Sequence, residues 1–172
     1  MPIYALGDLS PTIAPTAFVH PDAVIIGSVI IGPESTVWPT AVLRGDGGSI
    51  IVGSQTSVQD GSIIHCTGTL DTKIGSRVTI GHNVHMEGCV VEDDALVGSG
   101  SVVLQEATIG RNALVGAGAV VSPGTQVPAF ARALGVPARI TLDVIPENAF
   151  LANAEHYVKQ GHRYRGELRR LE

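Results

Sequence analysis

The sequence predicts an all-β solenoid, in which short parallel strands coil into a prism, followed by one C-terminal α-helix. Three observations favour this fold class. A six-residue repeat led by Ile, Val, Leu or Met runs through most of the chain, as in "IGSRVT", "IGHNVH" and "VGAGAV". Hydrophobic residues make up 44% of the chain but aromatic residues only 4%, so the core must be built from small branched side chains. The 21 glycines and 10 prolines indicate frequent turns.

The six-residue period explains how such a prism is built. It matches neither the helical period nor the simple alternation of a strand, and it fits one short strand plus one corner. Three repeats then close a triangular coil, whose strands pair with those of the next coil about 4.8 Å away. A sandwich of irregular short strands is the alternative, and it is disfavoured because so many repeats share one phase.

The repeat pattern divides the chain into a β-helix over residues 1–140 and a C-terminal helical segment over residues 141–172. Pro146 suits a first helical turn, so the helix is expected to open there. An apolar stripe at helical spacing predicts packing along the prism, with a weak point or bend at Gly161. The repeat itself breaks at three places, namely "LRGDGGSII", "IHCTGTLDTK" and "MEGCV".

Composition excludes several classes of protein. The net charge of −5 argues against general binding to nucleic acid or to anionic membranes. We find no apolar stretch long enough to span a bilayer, and the N-terminus lacks the pattern of a secretory signal. Cys66 and Cys89 are the only cysteines, which favours a reduced chain in the cytoplasm.

The repeat phase brings two metal-capable side chains together. Ile64 and Met86 each lead a repeat, so His65 and Glu87 are both second residues of their repeats. Three repeats, or one full coil, separate the two leaders. We therefore expect His65 and Glu87 to stack on the same edge, about one strand spacing apart.

Two further histidines fall in other phases. His82 is the third residue of its repeat and belongs to a neighbouring face, so one chain is not expected to bring it to His65. A threefold trimer would let His82 of one copy meet His65 and Glu87 of the next. His85 is the sixth residue of its repeat and is expected at a corner.

Several motifs together carry a family resemblance. The segments "VWPTAVLRGD", "SVQDGSIIHC", "VTIGHNVHMEGC" and "LGVPARI" resemble the gamma-class carbonic anhydrases within the hexapeptide-repeat superfamily. The resemblance covers nearly the whole chain from about Pro11 to Arg139. It implies a left-handed β-helix, a homotrimer, and a divalent metal at the subunit interfaces, most simply zinc, with iron or cobalt as alternatives.

The same resemblance assigns metal ligands. His65 and His82 match two of the three metal-binding histidines of the family. The third position is Glu87 here, and His85 lies two residues earlier. Either Glu87 or His85 completes the ligand set, or metal binding is weak or lost; the shared phase with His65 favours Glu87.

The resemblance also assigns roles to five other residues. Arg44 and Asp46 look like an interface salt-bridge pair. Gln59 and Asp60 resemble residues that orient the metal-bound water, and Tyr157 resembles a helix tyrosine that approaches the site.

The implied activity is hydration of carbon dioxide to bicarbonate by a metal-bound hydroxide. Two other functions are open. The chain could be a catalytically inactive trimeric scaffold or binding protein of the same fold. It could also be a coenzyme A-dependent acyltransferase or thioesterase that uses a histidine as general base, since such enzymes share the repeat.

Overall fold

The structure, a computed structural model, describes residues 2–171 and shows a left-handed parallel β-helix of about seven coils with one C-terminal helix. This confirms the predicted fold class. In chain order the elements are β1 (Ile3–Tyr4), β2 (Thr12–Ile13), β3 (Phe18–Val19), β4 (Val24–Ile31), β5 (Thr36–Val37), β6 (Val42–Val52), β7 (Ser57–Val58), β8 (Ile63–His65), β9 (Thr72–Ile74), β10 (Thr79–Ile80), β11 (His85–Glu87), β12 (Val90–Val91), β13 (Leu96–Val97), β14 (Val102–Val103), β15 (Thr108–Ile109), β16 (Leu114–Val115), β17 (Val120–Val121), β18 (Gln126–Val127), β19 (Arg132–Leu134), β20 (Arg139–Thr141) and α1 (Leu151–Glu167).

The prism has three sheet faces. The histidine face contains β8, β11, β14 and β17, and the loop face contains β9, β12, β15 and β18. The long strand β6 turns from one of these faces to the other, because its first part pairs with β8 and its last part with β9. The helix face runs from β3 through β5, β7, β10, β13 and β16 to β19, and α1 packs against its first three strands.

The core is a set of stacked aliphatic ladders, as the repeat predicts. On the histidine face, the inward side chains of successive coils lie in register, and all of them are fully buried. Burial of such side chains stabilises the fold by about 1.5–3 kcal/mol each. This ladder consists of Ile25, Leu43, Ile64, Met86, Val103 and Val121.

The C-terminal helix begins later than the sequence pattern predicts. Residues 147–150 form a turn, and α1 opens at Leu151 rather than at Pro146. The carbonyl of Pro146 instead accepts a hydrogen bond of 2.7 Å from Asn112 Nδ2, which ties the segment to a corner of the prism. No helix among the described residues has the length and apolar character needed to cross a membrane.

The helix α1 runs through Gly161 without interruption, so this residue does not end the helix. Gly161 is buried, and a Cβ atom there would lie 2.7 Å from Thr36 Cγ2. Thr36 cannot rotate freely, since its hydroxyl accepts a hydrogen bond of 3.0 Å from Trp38 Nε1. Glycine is therefore required for the close approach of α1 to the prism.

Replacing Gly161 by alanine should destabilise the protein. The clash with Thr36 should lower the free energy of unfolding by about 1–3 kcal/mol net, although alanine is the better helix former. Gly166→Ala is the matched control, because a Cβ there meets nothing within 4 Å and should stabilise the helix by up to about 1 kcal/mol. Urea unfolding at equal protein concentration measures both; equal effects would show that Gly161 has no packing role.

A buried carboxylate joins successive coils at one corner of the prism. Asp94 is 6% exposed and receives a forked pair of hydrogen bonds from Arg77, with Nε–Oδ1 2.6 Å and Nη2–Oδ2 2.9 Å. Arg111 Nε lies 3.4 Å from Asp94 Oδ2. The hydrogen bonds from Arg77 lower the pKa of Asp94, against the opposing effect of burial.

Asp94→Asn should therefore change how stability depends on pH. A lowered pKa means that the ionised carboxylate stabilises the fold fully above its unfolded value of about 3.9, and that this contribution is lost as pH falls through the folded pKa. We expect a loss of about 1–3 kcal/mol at pH 7 that shrinks below about pH 4. Urea titrations across this range measure it, with Asp22→Asn, whose carboxylate is 69% exposed, as control. A difference constant with pH would contradict the ion-pair explanation.

Candidate active site

His65 and Glu87 lie side by side at the ends of two neighbouring strands on the histidine face. Glu87 is the register partner of His65, as the repeat phase predicts. His65 Nδ1 lies 3.5 Å from Glu87 Oε1, and both side chains point outward, with 21% and 23% of their surfaces exposed. The strands alternate, so the inward positions are taken by buried Ile64 and Met86.

A second carboxylate holds the other nitrogen of the same imidazole. His65 Nε2 lies 2.9 Å from Asp46 Oδ1, and the other oxygen of Asp46 accepts a hydrogen bond from Arg44. The contact with His65 is the largest influence that lowers the pKa of Asp46, and Arg44 adds to it. Arg44 and Asp46 thus pair within one chain, and their predicted place at a subunit interface stays a prediction.

His85 does not lie at a corner, as the phase of its repeat suggested. It is the first residue of β11, two positions before Glu87, so both side chains point outward from the same strand. His85 Nε2 lies 3.7 Å from Glu87 Oε2. Glu87 therefore stands between two imidazoles, those of His65 and His85.

His82 belongs to a separate part of the molecule. It lies in the turn before β11 and is exposed, and its Nδ1 lies 3.0 Å from Asp60 Oδ2. The expectation that one chain does not bring His82 to His65 agrees with this placement. Asp60 and His82 form a second acid–histidine pair, on the edge of the histidine face opposite to His65.

Tyr157 connects α1 to the same edge. Its hydroxyl is hydrogen-bonded to Gln59, and burial raises its pKa, with a smaller contribution from the charge of Asp60. The Tyr157 ring packs against Trp38 at a centroid distance of 5.9 Å. Trp38 is fixed in turn by its Nε1 donating to Ser57 Oγ at 2.9 Å. The three predicted residues Gln59, Asp60 and Tyr157 are thus brought together.

Within residues 2–171 of one chain, no three His, Cys, Asp or Glu side chains are arranged to hold a metal ion. His65 and Glu87 supply two neighbouring donors, and His82 lies elsewhere. A single chain therefore does not fit a metal ion, and the predicted set of His65, His82 and Glu87, or of His85 in place of Glu87, stays a prediction that needs a second copy.

Four of the five outward side chains that begin the strands of the histidine face are apolar. These side chains alternate with the buried ladder and stack in register from coil to coil. Ile63, two residues before His65, is 47% exposed. The outward column consists of Val42, Ile63, His85, Val102 and Val120.

Sequence reasoning did not find two residues that shape the site. Trp38 supports Tyr157, and its presence in the quoted "VWPTAVLRGD" segment was the available signal. Thr72 contacts the backbone beside both His65 and Glu87, and the irregular repeat before it was the available signal.

Comparison with known proteins agrees with a left-handed β-helix of hexapeptide repeats. Residues 71–105 and 88–123 match the family described as bacterial transferase hexapeptide (six repeats). The carnitine operon protein CaiE of Escherichia coli strain K12 is 42% identical over 144 residues, which cover 84% of this chain and 74% of CaiE.

Two solved structures resemble the whole fold. A proposed acetyltransferase from Bacillus cereus has a TM-score of 0.93 and 34% identity, covering 96% of this chain and 98% of that one. A hexapeptide transferase family protein from Anaplasma phagocytophilum has a TM-score of 0.89 and 34% identity over the same shares. This chain belongs to the bacterial hexapeptide-repeat transferase family. The narrower resemblance to gamma-class carbonic anhydrases receives no support from these comparisons.

Proposed function

We propose that this chain transfers an acyl group from an acyl-coenzyme A to a small nucleophilic acceptor, with His65 as general base. The observation that carries the proposal is the pairing of His65 Nε2 with Asp46 Oδ1 at 2.9 Å, on an outward and partly exposed imidazole. A histidine oriented by a carboxylate is the usual device for activating a nucleophile. Membership of a transferase family and similarity to a proposed acetyltransferase support the same class of reaction.

The two nitrogens of His65 have different tasks in this reaction. When His65 carries its proton on Nε2 and donates a hydrogen bond from there to Asp46, the lone pair of Nδ1 is available to take a proton. The acceptor amine or hydroxyl gives its proton to Nδ1 and attacks the thioester carbonyl carbon. The carbon–sulfur bond then breaks, and the imidazolium returns the proton to the departing coenzyme A thiolate. With water as acceptor, the same steps hydrolyse the thioester.

The neighbouring charges suit this cycle. Glu87 Oε1, 3.5 Å from Nδ1, stabilises the imidazolium that forms during the reaction. Asp46 is negatively charged at neutral pH, and its contacts with His65 and Arg44 lower its pKa further. The site thus holds a base that gains charge between two carboxylates, and it does not need a metal ion for that step.

We further infer that three copies assemble with their histidine faces around a threefold axis. Proteins with this repeat are usually trimers. The outward column that contains Ile63 is apolar except for His85, whereas α1 packs against the first strands of the helix face. His65 and His82 lie at opposite edges of the histidine face, so this assembly would set His82 of one copy beside His65 of the next.

A release assay tests the proposed activity. The protein is incubated with acetyl-coenzyme A and a panel of primary amines and alcohols, and free thiol is measured, with acylated product identified by mass spectrometry. Acceptor-dependent thiol release supports transfer, and release without any acceptor supports hydrolysis. Release no faster than in the buffer control would rule out both.

Hydration of carbon dioxide at a metal site is the second candidate, and the register of His65 with Glu87 favours it. In this case His65 and Glu87 of one copy and His82 of the next would hold a zinc, iron or cobalt ion, with His85 as the alternative to Glu87. A bound zinc ion lowers the pKa of a water ligand to about 7. Asp60 would then orient the His82 ring through their contact of 3.0 Å.

Metal content separates the two candidates. The second candidate predicts one zinc per chain after reconstitution, measured by plasma mass spectrometry, and carbon dioxide hydration that a chelator abolishes. The first candidate predicts thiol release that the chelator leaves unchanged. Neither activity, with no stoichiometric metal, would favour the inactive trimeric scaffold.

A further inference from the structure

Two irregularities of the repeat meet at the corner beside the site. The insertion in "IHCTGTLDTK" follows His65, and the shortened repeat "MEGCV" contains Glu87. Because β8 and β11 pair in register, the residues after His65 and after Glu87 turn the same corner in successive coils. The first coil uses residues 66–71 for this turn and the second uses residues 88–89. Ordinary corner hydrogen bonds cannot join turns of such different length.

The side chain of Thr72 fills this place. Thr72 is the first residue after the insertion and is fully buried. Its hydroxyl donates a hydrogen bond to the carbonyl of His65 and accepts one of 2.8 Å from the amide of Gly88. One hydroxyl therefore connects the peptide group after His65 with the peptide group after Glu87.

Hydroxyl bridges at other corners join two groups of one turn, as where Thr56 Oγ1 donates to the carbonyl of Gly75 at 2.7 Å and accepts from the amide of Val78 at 3.1 Å. Successive coils are also joined there by direct backbone hydrogen bonds. The amide of Asn83 donates directly to the carbonyl of Asp60 at 2.9 Å, and the amide of Glu106 donates to the carbonyl of Gly88 at 2.8 Å. At the His65 corner the Thr72 hydroxyl lies between the amide of Gly88 and the carbonyl of His65. Two buried backbone groups would lack a partner without it, and unpaired buried groups are rare in proteins.

We propose that Thr72 is a positioning residue that sets the directions of the His65 and Glu87 side chains relative to each other. The proposal rests on the proposed acyl transfer by His65. A side chain departs from the backbone at a direction set by its flanking peptide groups, and Thr72 fixes one such group on each site residue. Small misplacements of a catalytic group reduce rates strongly. Thr72 itself is buried and acts through His65.

Three substitutions of Thr72 test this role in the full-length protein. Thr72→Val keeps the shape and removes the hydrogen bonds, Thr72→Ser keeps the hydroxyl, and Thr72→Cys supplies a weak donor instead. We expect kcat for acyl transfer to fall by about 100-fold in Thr72→Val, with KM for the acyl-coenzyme A changed less than about threefold. Thr72→Ser should keep kcat within about threefold of wild type, and Thr72→Cys should fall in between.

The outcomes separate positioning from simple stability. Thermal unfolding of each variant is recorded, and kcat is referred to folded protein. Equal kcat in Thr72→Val and Thr72→Ser would overturn the proposal, even if the valine variant unfolds at lower temperature. If Thr72→Val does not fold, kcat is compared between Thr72→Cys and Thr72→Ser, and equal values would overturn the proposal.

A spectroscopic readout keeps this test separate from that of the proposed function. Nitrogen and proton resonances of the His65 ring are recorded by NMR for each variant. We expect them to move in Thr72→Val and Thr72→Cys and to stay at their wild-type positions in Thr72→Ser. Absence of acyl transfer in the wild type would end the proposed function, whereas His65 resonances unchanged in all three variants would end the role of Thr72.

Discussion

Replacing His65 by glutamine will lower kcat for acyl transfer by about 10²–10⁴-fold, the usual contribution of a general base. Glutamine retains polarity and approximate size but cannot take the proton of the acceptor at neutral pH. KM for the acyl-coenzyme A should change little, because the imidazole acts on the acceptor proton. Steady-state kinetics of thiol release measure both constants.

Asp46→Asn tests whether the Asp46 carboxylate sets the tautomer of His65 that acts as the base. An asparagine amide can turn its NH₂ group toward His65 Nε2 and so favour the tautomer that carries its proton on Nδ1. That tautomer cannot act as the base, and we expect a loss of about 10²-fold or more. Analytical ultracentrifugation of both variants checks that a loss of kcat does not come from a change of oligomeric state.

His20→Gln is the control for the loss of a histidine. His20 lies before β4 in the first coils of the prism, where its Nδ1 accepts a hydrogen bond of 3.1 Å from the Asp22 amide. The kcat of the His20→Gln variant should equal that of the wild-type protein. A His65→Gln enzyme that keeps more than about a tenth of the wild-type kcat would show that another group is the base.

The parts of the structure that depend on the repeat were predictable from the sequence. Each coil buries the same kind of residue at the same phase, so the leaders Ile64 and Met86 fix the register of the residues that follow them. For this reason the adjacency of His65 and Glu87 follows from counting alone. A one-residue slip would turn both side chains inward, which the buried ladder forbids.

Predictions from the six-residue repeat and from local propensity failed where contacts between distant residues decide the structure. His85 precedes its leader by one residue, yet β11 extends to include it because it pairs with Ile63 of the previous coil. Gly161 has a poor helix propensity, but contact with Thr36 decides the residue at this position. The contact of His65 with Asp46 spans 19 residues and depends on the irregular "LRGDGGSII" segment, whose path the period does not describe.

Replacing Ile63 by lysine will separate the trimer into monomers, and so remove the neighbouring copy's His82 from the His65 site, if the histidine faces surround a threefold axis. Ile63 belongs to the mostly apolar outward column, between Val42 and His85 and two residues before His65. In the assembly three lysine ammonium groups would be buried near one another, at a cost on the order of several kcal/mol each. Analytical ultracentrifugation at micromolar concentration measures the shift in mass, and circular dichroism checks that the β-helix persists.

Ile30→Lys is the matched control, since Ile30 is also an outward isoleucine on a strand of the prism. Its exposure of 45% is close to the 47% of Ile63, but it pairs with Ile51 toward the loop face. A lysine there stays in water and should leave the trimer and the activity unchanged. If both variants dissociate, the contact surface is not confined to the histidine face. If Ile63→Lys stays trimeric, the copies meet elsewhere, and His82 of a neighbouring copy cannot reach the His65 site by this arrangement. The oligomeric state of these two variants therefore decides whether the acid–histidine pairs of successive copies form one composite site or remain apart.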